Sequence, residues 1–419
     1  MMGPMENDKT DMQPAINAAV DRGERVALME PVLIGESSRH RAEISDLVVE
    51  LASRAASFRR SLPAGLTAAL ANLVRAMNCY YSNLIEGHDT HPVDIERALK
   101  DNYSTDKRKR DLQIEAKAHI AVQEWIDAGG LAGCATSADG LREMHRRFCE
   151  LLPDDLLWVE HPGTQDWLPV KPGELREHDV QIGRHVPVSP GALPRFLDRF
   201  ERAYTPLGRT EGIMASACAH HRLLWIHPFL DGNGRVARLM SHAILLDWLD
   251  TGGIWSVARG LARNESEYKD KLMACDLERR NDLDGRGHLS EETLANFTTF
   301  FLRVCIDQVD FMERLMQPDR LRERLLMWAE EEIRADALPP KSDTVLEALL
   351  YRGELPRGDV AGLLGVSERQ ARRTTSALIA SGIVTSKSSR APLYLAFPAR
   401  LAHRLMPGLF PEMPHGSEK

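Results

Sequence analysis

Apolar residues that return every three or four positions run through most of this chain, and that periodicity confines the fold to packed helices. Ile44, Leu47, Val48 and Leu51 share one face, and Leu66, Leu70, Leu73 and Met77 repeat the pattern. The same spacing predicts helices over 93–99, 112–125 and 141–152, with Gly129-Gly130 and Pro153-Asp154-Asp155 as breaks. Between 156 and 190 the periodicity stops, and proline, glycine and short β-type pieces take over. There Val180-Gln181-Ile182 and His185-Val186-Pro187-Val188 predict a β-hairpin or extended flap. Helices resume from residue 193 to 328. The expected class is mainly α, with a small C-terminal domain of different character.

A chain of 419 residues accommodates two to four domains at about 100–200 residues each. Apolar residues at 43% and charged residues at 27% exclude a disordered, collagen-like or disulfide-stapled protein. The net charge of −8 provides no global basic field for nucleic acid or anionic membrane. Cys79, Cys134, Cys149, Cys218, Cys275 and Cys305 are scattered with no CxxC pair, so free thiols in a reducing compartment are expected. No apolar run reaches transmembrane length, and residues 1–21 lack the order of a signal peptide, which predicts a cytoplasmic location. The expected organisation is a weakly ordered lead-in over 1–35 (with 28–34 able to dock) and a helical region over 36–140. A core over 141–320, a linker helix over 321–340, a module over 341–400 and a tail over 401–419 follow.

The 341–400 module reads as helix, turn, helix. Ser342 is a candidate cap for its first helix, and Gly365-Val366-Ser367 lies between helices at 357–364 and 368–381. Strands at 383–385 and 393–397 would flank a loop bearing Lys387 and Arg390, completing a winged helix-turn-helix. Eight basic residues minus five acidic ones give this module +3 between 341 and 397. Its candidate recognition helix presents Arg369, Gln370 and Arg373 early. DNA contact, dimerisation into a homodimer, docking on the preceding core and presentation of a target all stand open as its use.

One segment concentrates residue types suited to phosphate chemistry: His-Pro-Phe-Leu-Asp-Gly-Asn-Gly-Arg-Val-Ala-Arg over 227–238. Gly232 and Gly234 let the backbone curl so that successive N–H groups point into one concavity. A helix predicted over 236–249 adds its dipole and unpaired donors. Arg235 and Arg238, three apart, can clamp a polyphosphate. Asp231 is a hard oxygen ligand suited to Mg²⁺. His227 has the intrinsic basicity to accept a hydroxyl proton near neutrality, and Phe229 would anchor the loop. A competing set, His220, His227 and Asp231, could bind zinc or iron in a hydrolase. Residues 281–288 hint at a calcium loop but lack its terminal bidentate Glu.

The 227–238 segment resembles the signature of the Fic family, His-x-Phe-x-Asp/Glu-Gly-Asn-Gly-Arg-x-x-Arg, at all eight constrained positions. The preceding Ala219-His220-His221-Arg222-Leu223-Leu224-Trp225-Ile226 resembles the family's lead-in helix. The resemblance implies transfer of AMP from ATP to a Ser, Thr or Tyr hydroxyl of another protein or of this one. His227 would be the general base, and Asp231 would hold Mg²⁺ (or Mn²⁺). Gly232, Asn233, Gly234, Arg235, Val236, Ala237 and Arg238 would bind the nucleotide's phosphates. The related Doc kinases carry Lys where Gly234 stands, so Gly234 favours AMP transfer over phosphorylation.

The flap resembles the family's target-binding hairpin, in which Val180, Gln181, Ile182 and Gly183 would register a target segment by strand addition. Asn264 and Tyr268 stand where relatives pack the nucleotide base, although Glu267 replaces the first residue of the usual tyrosine pair. Ser82-Asn83-Leu84-Ile85-Glu86-Gly87 resembles the family's inhibitory pattern, Ser/Thr-x-x-x-Glu-Gly/Asn. That implies an N-terminal inhibitor in which Glu86 pairs with Arg238 and keeps the γ phosphate out, with Ser82 and Gly87 as the other constrained positions. The alternatives are removal of AMP from a modified protein, with Glu86 orienting a water, and a DNA-binding regulator acting through the winged helix.

Overall fold

Helix α1 (Arg41–Ser61) buries Ile44, Val48, Leu51, Ala55 and Phe58, the stripe its spacing predicts. The computed structural model describes residues 19–160, 166–205, 207–249 and 251–411. After α1 come α2 (Ala64–Ile85), α3 (Pro92–Leu99), α4 (Lys107–Asp127) and α5 (Ala138–Cys149). Asp106 and Ser137 cap α4 and α5 by accepting from Lys109 and Gly140 N–H groups, so both helices begin ahead of the apolar periodicity. Then follow α6 (Leu193–Tyr204), α7 (Arg209–Ile226), α8 (Asn233–Leu249), α9 (Val257–Arg263), α10 (Glu265–Ala274), α11 (Glu291–Leu315) and α12 (Pro318–Arg334).

Helix α7 is the centre of the body. Small and apolar residues cover it on every side, which lets α8, α6, α11 and α1 pack around it. Helix α2 runs beside α4 and α9. Buried apolar residues from Met29 to Leu409 form one contiguous core. The described cysteines are all free, and five of the six are buried. No described helix is long and apolar enough to cross a membrane.

Over the expected β-hairpin or extended flap the chain is extended, with one antiparallel bridge of its own. The paired strands are β1 (Trp158–Glu160) and β2 (Trp167–Pro169), upstream of it, with Val159 opposite Leu168. In the flap only Ile182 and His185 exchange backbone bonds, both 2.9 Å, around Gly183. Pro187 lacks an N–H to extend a ladder, and the segment is fastened by side chains instead. The lead-in also differs from expectation where it is described. Val20 O accepts from Gly191 N–H at 2.8 Å, the Arg22 N–H donates to Ser189 Oγ at 3.0 Å, and Met29, Val32 and Ile34 are buried. Residues 1–18 and 412–419 lie outside the described residues.

The C-terminal module contains α13 (Ser342–Arg352), α14 (Asp359–Leu364) and α15 (Glu368–Ala380), then β3 (Val384–Thr385) paired antiparallel with β4 (Tyr394–Leu395). Ser367 and Gln370 form a capping box on α15. Ser342 is not the cap of α13: Lys341 holds that place, and the Ser342 hydroxyl donates to Pro339 O at 2.7 Å. A last short helix, α16 (Ala402–Leu405), packs on α12.

Candidate active site

The 227–238 segment forms the turn between α7 and α8, and packing from below sets its shape. The imidazole of His145, on α5, stacks on Phe229 with centroids 4.1 Å apart and planes 1° from parallel. Its Nδ1 accepts from Gly173 N–H at 2.9 Å. Asn233 closes the turn from within. Its Oδ1 accepts from Phe229 N–H at 3.0 Å and its Nδ2 donates to Phe229 O at 2.8 Å. The Asn233 side chain, expected among the phosphate-binding groups, is therefore occupied in holding the loop. Gly232 sits at φ +80°, which a side chain would strain.

Helix α8 begins at Asn233, three residues earlier than its periodicity suggests. The Val236 N–H donates to Gly232 O at 3.0 Å. The N–H groups of Asn233, Gly234 and Arg235 precede that first bond, so they are the helix-end donors available to an anion. Val236 and Ala237 face the core, at 2% and 0% exposure, and their side chains stand away from the cleft.

His227 caps the C-terminus of α7 in the left-handed conformation, φ +52°. Its own N–H donates to Leu223 O at 2.9 Å. Nδ1 lies 3.3 Å from Leu224 O, a contact that requires the proton on Nδ1 and leaves the Nε2 lone pair open. Burial pushes the imidazole down to about 4, against the pull of the Leu224 carbonyl, so it is neutral at physiological pH. Asp231 is exposed on the loop and makes no ion pair among the described residues. One free carboxylate beside a turn with open helix-end N–H groups fits Mg²⁺, which takes few protein ligands and completes its shell with substrate oxygens and water.

Residues 82–87 meet this turn from α2. Arg238 is buried and donates through Nε to Ser82 Oγ at 2.8 Å, and its Nη2 pairs with the Glu86 carboxylate. Burial raises the Glu86 carboxyl, but Arg238, Arg235 and His88 outweigh it and hold the group below the usual carboxylate range. The Gly87 N–H donates to Leu84 O at 3.0 Å and turns the chain out of the helix. Gly234 has a second use here: a Cβ on it would stand 2.3 Å from Glu86 Oε1. The absent side chain is the space the Glu86 carboxylate occupies.

Arg235 points elsewhere. Its Nη2 donates to Glu115 Oε2 at 3.1 Å, and its guanidinium lies 5.0 Å over the Phe148 ring. Glu115 also meets His88 Nδ1 at 3.0 Å. Neither Glu115 nor His88 carries a local sequence signal, because their partner lies more than a hundred residues away. Tyr268, expected against the nucleotide base, is sealed in the interior. Its hydroxyl meets His220 Nε2 at 2.7 Å, and its ring lies near Phe297. A buried imidazole needs polar partners, and Tyr268 with Ser241 (2.8 Å from Nδ1) supplies both. Both His220 nitrogens are thus occupied, and no three His, Cys, Asp or Glu side chains gather to hold a metal among the described residues. The zinc or iron set is not assembled. The 281–288 loop closes on itself, with Asp284 accepting from Ser290 and the Glu292 N–H.

Residues 135–245 match the model of the Fic/DOC family. The protein adenylyltransferase Fic of Drosophila erecta is 28% identical over 169 residues, which cover 40% of this chain and 31% of that relative. Its counterpart in Drosophila yakuba is 29% identical over the same length. The chain therefore spans about a third of the length of these curated relatives. A crystal structure of a Fic family protein from Desulfovibrio desulfuricans G20 shares the fold, with a TM-score of 0.50 at 17% identity over 87% of this chain and 98% of that one. The turn between α7 and α8 lies within the segment that matches the Fic/DOC family model, residues 135–245.

Proposed function

We propose that this protein transfers AMP from ATP to a hydroxyl side chain of a protein and that Glu86 restrains the reaction. The observation that carries the reading is the His227 imidazole: neutral, anchored through Nδ1, and beside a turn whose helix-end N–H groups can receive phosphates. Nε2 takes the proton of the target hydroxyl as its oxygen bonds to the α phosphorus. The bond from that phosphorus to the α–β bridging oxygen breaks, and pyrophosphate leaves. The first N–H groups of α8 and Arg238 stabilise the charge that grows on the phosphates. Asp231 would hold Mg²⁺, which neutralises phosphate charge when bound. The relatives' name, protein adenylyltransferase, supports this assignment.

Glu86 occupies the face of Arg238 that a γ phosphate would need and places a carboxylate in its path. An arginine–carboxylate contact in a partly desolvated site can change rates by roughly tenfold to a hundredfold. Incubation with ATP labelled at the α or the γ phosphate tests both statements. Label from the α position should enter protein, more with Glu86→Gly than with the parent and not with His227→Ala. Transfer from the γ position, or no gain with Glu86→Gly, refutes the reading.

A second contact is favoured by α15, whose early residues Arg369, Gln370 and Arg373 are all exposed, as are Lys387 and Arg390 between β3 and β4. This face is suited to the phosphate backbone and major groove of DNA. Affinity for duplex DNA should fall steeply with salt and drop in an Arg369/Arg373 double-alanine variant. Binding insensitive to both would exclude it.

A further inference from the structure

Arg176 is a buried guanidinium outside the chemistry just described. It opens the flap, is 3% exposed, and draws its partners from backbone carbonyls. Nε donates to His227 O at 2.8 Å, Nη1 to His178 O at 3.0 Å and Nη2 to Val188 O at 2.5 Å. The Arg176 N–H adds a bond to Pro228 O at 2.9 Å. The nearby Asp179 carboxylate is taken by Arg22, at 2.8 and 3.0 Å.

These acceptors belong to two structures that must cooperate. His178 and Val188 are the two feet of the flap, enclosing residues 180–183. His227 and Pro228 begin the catalytic turn. A guanidinium has donors in fixed directions within one plane, so it sets these three backbone points relative to one another. The restraint matters because the flap has a single bridge of its own and β1–β2 does not extend into it. It also matters because His227 is a non-glycine residue in the left-handed region, a conformation that persists when its surroundings over-determine it. The Leu223 carbonyl fixes its N–H side, and Arg176 fixes its C=O side.

We propose that Arg176 is a positioning residue for AMP transfer: it sets the distance and angle between the target-holding flap and the His227 imidazole. The proposal rests on His227 being the base. Arg176 has no role in gripping the nucleotide, so its loss separates chemistry from ATP binding. Lysine is no substitute, because one ammonium cannot span three carbonyls arranged around a planar fork.

The test compares Arg176→Lys, Arg176→Gln and Arg176→Ala in full-length Glu86→Gly protein. The expected result is a fall in kcat of about a hundredfold, the scale of a displacement near 1 Å, with the Kd for ATP changed less than about twofold. Added methylguanidinium should restore part of the Arg176→Ala rate and none of the His227→Ala rate. Amide hydrogen exchange should rise together at 178–188 and at 227–229. Full activity in Arg176→Lys, a parallel loss of ATP binding, or exchange that rises in only one segment or neither would overturn the proposal. If Arg176→Ala does not fold, the lysine and glutamine variants decide by the same criteria. If the Glu86→Gly parent transfers no AMP, the functional reading fails, while hydrogen exchange still judges the clamp.

Discussion

The His227 imidazole is held neutral because burial moves it to about 4, below the range of an ordinary histidine. The sign of the pH effect follows. Protonation removes the lone pair, so the rate falls only as pH drops through that lowered value. The kcat/KM of Glu86→Gly should therefore be level across pH 6–8 as far as His227 is concerned, with an acid limb near pH 4. A limb at the usual histidine range would contradict the burial argument. Gly234 supports a second residue-level prediction. Its missing Cβ makes room for Glu86, so Gly234→Ala should push the carboxylate off Arg238. The activity ratio of Gly234→Ala to its parent should then be higher when Glu86 is present than when it is glycine. Equal ratios would mean that the two positions do not interact. His227, Asp231 and Arg238 were legible as one local motif and residues 82–87 as another, and only the resemblance of both to family patterns implied the Glu86–Arg238 pair across 152 positions. Glu115, His88 and Arg176 were not legible, since their meaning comes from partners on distant segments.

At the level of elements, the site is a turn suspended between α7 and α8. Asn233 gives it two reciprocal bonds to Phe229 that no other side chain of similar size can reproduce in both directions. Asn233→Ala removes both and leaves two buried backbone groups without their partners, at about 1–3 kcal/mol for each unsatisfied group. Differential scanning calorimetry should show a Tm lower by several degrees, with faster hydrogen exchange at 227–233. An unchanged Tm would show that packing on His145 alone holds the turn. The helices were legible because periodicity is a property of each segment. Their starts were misjudged at α4, α5 and α8, where a polar cap or an asparagine begins the helix before its apolar stripe does. The flap was read as a hairpin or an extended segment, and it is an extended segment with one antiparallel bridge. Its β-type residues suggested a ladder, but Pro187 and a single bridge leave it to be fastened by Arg176.

Across the whole molecule, residues 408–410 support α2, the helix that carries Glu86 at its end. The Tyr81 hydroxyl, next to Ser82 on α2, donates to Leu409 O at 2.9 Å. Tyr80 meets Phe410 edge-on with centroids 5.6 Å apart. Arg259, on α9, donates to Gly408 O at 2.7 Å and lies 3.6 Å over the Phe311 ring, which fastens the same segment to the core. The surface of α2 at Tyr80 and Tyr81 thus meets residues 409 and 410, more than three hundred positions away in sequence, a juxtaposition that no local pattern announces. Helix α2 keeps Glu86 on Arg238 only while its own position is fixed. Loosening the far-end contact should therefore relieve inhibition without touching the cleft. Tyr81→Phe removes the shorter of two bonds to the Leu409 carbonyl and leaves Arg259 Nε at 3.4 Å as its remaining donor, a loss of about 0.5–1.5 kcal/mol. Basal AMP transfer should rise severalfold in the chain that retains Glu86, together with a lower Tm. In the Glu86→Gly background the same substitution should lower the Tm equally and leave the rate unchanged, because no carboxylate remains to be displaced. A matching gain in both backgrounds would place the effect of Tyr81 in catalysis itself. No gain in either would mean that α2 stays seated without its C-terminal support.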